Sequence, residues 1–164
     1  MPLNFSLVPR PKGLRSAEEV VPKLGIRAGA PALRIGDVGA YDRAIEHLAG
    51  HLDRHELDLP LRYPAARYGL VLCFALEPVD TARLAPELVR VTNGLGRIWV
   101  VTWKKDFVRG GAPTWERVQE AILPTGWVDN KILSFGDECY GTQYVLRVAH
   151  RSKSSFVRKS TTRP

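Results

Sequence analysis

Six consecutive strand-forming residues, Ile98-Trp99-Val100-Val101-Thr102-Trp103, stand between a Gly94-Leu95-Gly96 turn and the pair Lys104-Lys105. An apolar run of this length, bounded by a turn and by charge, predicts a strand buried on both faces. Helical patterns flank it on both sides, which is how a sheet covered by helices reads. The two lysines then fall at the carboxyl end of a central strand, where open α/β sheets hold their ligands.

The rest of the chain supports that frame. Residues 1–15 hold three prolines and little periodicity and read as an irregular arm. Ser16-Ala17-Glu18-Glu19 has the form of a capping box opening a short helix that stops at Gly25, with Pro22 a kink or an earlier end. Ala32 to Gly36 is a short strand leading through Asp37-Val38-Gly39 to a helix whose stripe is Tyr41, Ala44, Ile45, Leu48, Ala49 and Leu52. A weak strand is expected over 57–62 and a firm buried one over 68–75. Asp80 caps a helix bearing Leu84, Leu88 and Val91, with an interruption at Pro86. Pro113 or Thr114 begins a helix with Trp115, Val118, Ala121 and Ile122 on one face, stopped by Pro124 and Gly126. Residues 127–135 and 140–149, joined by Gly136-Asp137-Glu138, predict an antiparallel hairpin. The expected organisation is an arm over 1–15, one α/β domain over 16–149 and a basic, serine-rich tail over 150–164.

Charge and composition narrow the partners. Of the formal net charge of +7, all but one unit comes from Arg147, Arg151, Lys153, Arg158, Lys159 and Arg163, because Glu138 is the last acidic residue. The excess lies in the tail, so nucleic-acid affinity is expected there, weak and unspecific, and not on a basic face of the body. No apolar run approaches the ~20 residues that span a bilayer, and the N-terminus lacks the layout of a secretory signal, so the expected setting is the cytoplasm, away from membranes. Cys73 and Cys139 fit reduced thiols, Cys73 as core packing. His47, His51 and His55 are spaced i, i+4 and i+8, but no carboxylate or cysteine joins them at ligand spacing; they read as a solvated flank, and no metal is expected. No Gly-x-Ser-x-Gly, P-loop or Cys-x-x-Cys pattern occurs.

Leu24-Gly25-Ile26-Arg27-Ala28-Gly29 followed by Ala32-Leu33-Arg34-Ile35-Gly36 resembles the run "L-G-[IL]-[KR]-x-G-x-x-V-L-D-I-G" that precedes the glycine loop of class I methyltransferases. Lys23-Leu24-Gly25-Ile26, the Ile98-Trp99-Val100 strand ending in lysines, and Gly136-Asp137-Glu138-Cys139-Tyr140-Gly141 are similar to the short motifs of an uncharacterised bacterial domain family with a methyltransferase-like fold. The resemblance covers about residues 23–149. It implies a three-layer, Rossmann-like, mostly parallel sheet with a C-terminal antiparallel hairpin. The strand at 97–103 would lie inside it, between the strand at 68–75 and the hairpin.

The resemblance also implies a site and shows where this chain departs from it. A methyltransferase loop reads acid-x-Gly-x-Gly-x-Gly; the corresponding residues are Arg34, Gly36, Val38 and Ala40. The acid that would bind ribose hydroxyls at the end of the next strand has Asp58 as its candidate. Cofactor-binding positions implied are Gly36, Asp37, Gly39, Phe74 and Ala75, with S-adenosylmethionine as the possible cofactor. Ligand candidates are Arg34, Thr102, Trp103, Lys104 and Lys105, which would favour an anion such as a carboxylate or phosphate; the lysines also read as solvated ends of a buried strand. Asp137 and Tyr140 read as site residues or as a structural turn. The expected function is a binding module for a small anionic ligand or a protein, on a fold with a degenerate cofactor loop. The alternatives are an active methyltransferase with an atypical pocket and a nucleic-acid-associated protein acting through its tail.

Overall fold

A computed structural model describes residues 10–147. Its strands are β1 (Ala32–Ile35), β2 (Leu52–His55), β3 (Tyr68–Phe74), β4 (Thr92–Trp103), β5 (Trp127–Ser134) and β6 (Cys139–Leu146), in one sheet of order β2-β1-β3-β4-β6-β5. The β1–β2, β1–β3 and β3–β4 pairs are parallel, and β6 runs antiparallel to both β4 and β5. The fold is thus the mixed α/β, Rossmann-like sheet that the sequence predicts, with β4 internal and its Ile98, Val100 and Val101 inaccessible.

Side chains alternate across the pleat. Leu70, Leu72, Phe74, Trp99, Val101 and Trp103 face α1 (Ala17–Val20) and α2 (Asp42–Ala49). Val71, Cys73, Ile98 and Val100 face α3 (Thr81–Val91) and α4 (Trp115–Ile122). Ser16 forms both bonds of its capping box with Glu19, Asp80 accepts from the Ala82 amide, and Thr114 accepts from the Arg117 amide. These are the starts that the sequence places.

Four local expectations are corrected. The second strand is β2 at 52–55, and residues 57–62 are loop. Gly50, in the left-handed region at φ +90°, ends α2, so Leu52 lies on a strand and Leu48 is exposed. The alternating leucines of the loop are anchors: Leu61 is buried under α3, where its amide donates to Glu87 and its carbonyl accepts from Arg90. Pro86 does not interrupt α3, which runs through it. β4 starts at Thr92, directly after α3, and the Gly94-Leu95-Gly96 segment is an irregularity in its pairing with β3. The expected tail at 150–164 and the first nine residues of the arm lie outside the described residues.

Candidate functional site

The chain leaves β1 through Gly36, at φ +99°. A Cβ there would stand 2.8 Å from the Phe74 carbonyl oxygen, so only glycine lets the loop pass this close to β3. The loop wraps a charge pair. Arg34 Nε and Nη2 donate to the two Asp42 oxygens at 3.1 and 2.8 Å, and Nη1 donates to the Gly36 carbonyl. Arg54, on β2, adds a bond from Nε to Asp42 Oδ2 at 2.9 Å. The Arg34 and Asp42 side chains are 14% and 12% exposed. Gly39 lies over this pair, its Cβ position 3.3 Å from Asp42 Oδ2.

Beside the loop lies a closed aromatic cluster of the core. Tyr41 stacks on Phe74 with centroids 6.4 Å apart, and the edge of Phe135 meets both rings at 5.7 and 6.1 Å. Trp99 joins at 6.2 Å. Burial pushes the Tyr41 phenol up to about 12, and its hydroxyl donates to the Arg15 carbonyl at 2.8 Å. Gly141 makes room for the cluster, since a Cβ there would lie 2.5 Å from Phe135 Cε1.

Residues 10–15 run along the turn between β5 and β6, and Leu14 packs on this cluster. The Arg15 amide donates to the Phe135 carbonyl at 2.8 Å, the Lys12 amide to Glu138 Oε1 at 2.9 Å, and the Asp137 amide to the Gly13 carbonyl at 3.3 Å. Leu14 forms an antiparallel bridge with Gly136. Arg10 pairs with Asp37 at 3.0 Å on the exposed rim. On the far side Arg109 lies 3.9 Å above the Trp103 ring and donates to Glu138 at 3.1 Å. The Lys12 amide, then the Arg109 guanidinium, hold the Glu138 carboxyl below its ordinary range.

Of the residues singled out in the sequence, Arg34, Gly36, Gly39 and Phe74 come together around the loop, with Asp37 exposed beside them. Trp103 lies on the same face of the sheet as Phe74, and its indole donates to the Leu76 carbonyl at 3.0 Å. Lys104 is half-buried and Lys105 exposed at the end of β4; among the described residues neither makes a salt bridge. Ala75 and Thr102 are buried on the opposite face, toward α3 and α4. Asp137 and Tyr140 belong to the hairpin, where Asp137 meets the 10–15 segment and Tyr140 pairs with Thr102. The residue after β2 is Glu56; Asp58 stands two places further, off the strand. His47 is on α2, His51 precedes β2 and His55 ends it, so the helical spacing of the three does not form, and no group of metal-holding side chains occurs among the described residues. Burial pushes the Cys73 and Cys139 thiols up to about 12 and about 11, so neither is a nucleophile at neutral pH. Asp42, Tyr41, Arg109 and Glu138 were not legible as site residues. The one signal was the Gly136-Asp137-Glu138 turn, whose role needs the segment it meets.

No family model matches the sequence, and no curated protein matches it. Solved structures do. A methyltransferase dependent on S-adenosylmethionine from Aquifex aeolicus superposes with a TM-score of 0.67 over 81% of this chain and 90% of that one, at 14% identity. The Streptomyces coelicolor geranyl diphosphate C-methyltransferase, in complex with Mg2+, geranyl diphosphate and S-adenosyl-L-homocysteine, gives 0.58 over 79% and 76%, at 12% identity. A Haloferax volcanii protein in complex with the Trm112 methyltransferase activator gives 0.62 over 80% and 89%, at 10% identity. At these identities the likeness shows the fold and nothing finer.

Proposed function

We propose that this chain is a methyltransferase-fold binding protein whose first loop does not seat S-adenosylmethionine, and that its crevice serves a small anionic ligand or a protein segment. The observation that carries this reading is the Arg34–Asp42 pair inside the loop. Where the methyltransferase pattern has an acid, a guanidinium is already matched by its own carboxylate. The other loop positions agree: Val38 is packed into the core and Ala40 carries a side chain where the pattern has glycine. The residues present therefore do not fit the cofactor, and no methyl-transfer step is assigned to them. Titration calorimetry with S-adenosylmethionine and S-adenosylhomocysteine tests the reading. The expected result is no heat of binding; micromolar binding of either would establish the alternative, a methyltransferase with an atypical pocket, which the likeness to methyltransferases favours.

The anionic preference rests on Lys104 and Lys105 at the β4 end, because Arg34 is committed to Asp42 and Arg109 to Glu138. Each charge-assisted bond to a carboxylate or phosphate contributes about 1.5–3 kcal/mol. Titrating inorganic phosphate or citrate into labelled protein is expected to shift the amides of residues 102–109. Lys104→Ala/Lys105→Ala is expected to abolish those shifts with the melting temperature unchanged. Shifts that persist in the double variant would remove the lysines from the site.

A further inference from the structure

We propose that residues 10–15 form a strap that opens as a unit over the Tyr41–Phe135 aromatic cluster while the sheet stays folded, and that Glu138 is the latch that holds it closed. The inference stands whichever ligand the chain takes.

Among the described residues the strap is held by few bonds. Arg15 to Phe135 and Asp137 to Gly13 are its backbone links, with the Leu14–Gly136 bridge between them, and the Lys12 amide donates to the Glu138 carboxylate. The Arg10–Asp37 pair, with both side chains about 70% exposed, adds little. Leu14 is half-buried on the core. β3 and the Ile98–Trp103 part of β4 are buried on both faces, so opening the strap exposes a small area and opening the sheet exposes a large one.

Glu138 joins the strap to Arg109, which lies over Trp103 at the end of β4. It is mostly buried and accepts from the Lys12 amide on one side and from Arg109 on the other. Arg109 is fixed in turn by the Trp103 ring and points Nη2 at the Arg10 carbonyl at 3.5 Å. The hairpin turn is shaped for the strap. A Cβ on Gly136 would stand 2.6 Å from the Gly13 carbonyl oxygen, and one on Gly13, at φ +65°, would stand 2.2 Å from Asp137 Oδ2. This gives the Gly136-Asp137-Glu138 turn a task that a hairpin alone does not require. Opening releases the Tyr41 hydroxyl from Arg15 and lifts Leu14 off the aromatic cluster, so the strap sets when solvent or a ligand can reach these rings.

Amide hydrogen exchange of the full chain, resolved by NMR, tests this. The Arg15 and Asp137 amides report on the strap, and the Ala75 amide, bonded to Val101 inside the sheet, reports on the body. In the wild type the strap amides are expected to exchange at least about 100-fold faster than Ala75. Glu138→Gln, which keeps the shape and removes the charge, weakens the closed state, so it is expected to speed the strap amides about tenfold, to speed Ala75 by at most the same factor and to lower the melting temperature by roughly a few degrees; Val71→Ala, inside the sheet, is expected to speed Ala75 and leave the strap amides as they were. Strap amides exchanging at the Ala75 rate would mean that the strap opens only on global unfolding. Strap amides unchanged by Glu138→Gln would show that Glu138 is not the latch, and strap amides that speed with Ala75 in Val71→Ala would show that strap and sheet open together. Any of these overturns the proposal.

Discussion

Asp42→Asn is the substitution that weighs the charge pair inside the loop. The amide has the shape of the carboxylate and can still accept one bond, but Arg34 loses its counter-charge while staying 14% exposed. Removing one partner of a buried pair costs about 3–5 kcal/mol. Two features reduce that here: Arg34 keeps its bond to the Gly36 carbonyl, and Arg54, whose side chain is 46% exposed, returns to water at little cost. The expected loss is therefore about 2–3 kcal/mol. For a domain of this size that lowers the melting temperature by roughly 8–12 °C. Urea unfolding followed by tryptophan fluorescence reads it directly, because Trp99 and Trp103 are buried; the midpoint is expected to fall with an unchanged slope. Adding Arg34→Met removes the orphaned charge and is expected to recover part of the loss. A loss under about 0.5 kcal/mol for Asp42→Asn would refute the reasoning, since it would mean that Arg34 is hydrated and not enclosed by the loop.

Gly141→Ala is expected to cost about 1–3 kcal/mol by overpacking, because its Cβ would meet Phe135 and Trp99 where neither ring has room; an unchanged urea midpoint would show slack in the aromatic cluster. Acid titration is expected to expose Asp53. Burial works to raise its carboxyl, but bonds from Tyr68 and His51 with nearby Arg67 outweigh it and hold it below 3.8. Its folded value being the lower one, its contribution is present above the unfolded pKa and is lost as pH falls below about 4 through the folded value. Asp53→Asn is expected to flatten stability against pH in that range and to leave the slope above pH 5 alone. Truncation after Ala149 is expected to remove any binding to duplex DNA, together with its salt dependence, without shifting the melting temperature much; equal binding by the truncated body would refute the charge argument.

Much of this fold is written locally. β3 and β4 are buried on both faces, so their residues must be apolar without alternation, and that run is visible in one dimension. α3 and α4 carry their caps and stripes within a few residues, and the hairpin carries its turn. β2 was hidden because it is a sheet edge: Leu52-Asp53-Arg54-His55 has one inward apolar residue, and Leu52 satisfies helical spacing as well as strand burial. The stop at Gly50 was the local clue that separates the two. The position of the site, at the strands' carboxyl ends, follows from the order of elements. Its chemistry does not. Alternation along β3 and β4 says that Phe74 and Ala75, or Trp103 and Thr102, lie on opposite faces, but which face the crevice takes depends on where α2 and the strap pack. Arg34 finds Asp42 eight residues away only because the loop turns back over it, and Lys12 reaches Glu138 across 126 positions of sequence. Periodicity reports what a residue's own element needs; the partner that neutralises or covers it comes from another element, and only the packing of the whole chain brings the two together.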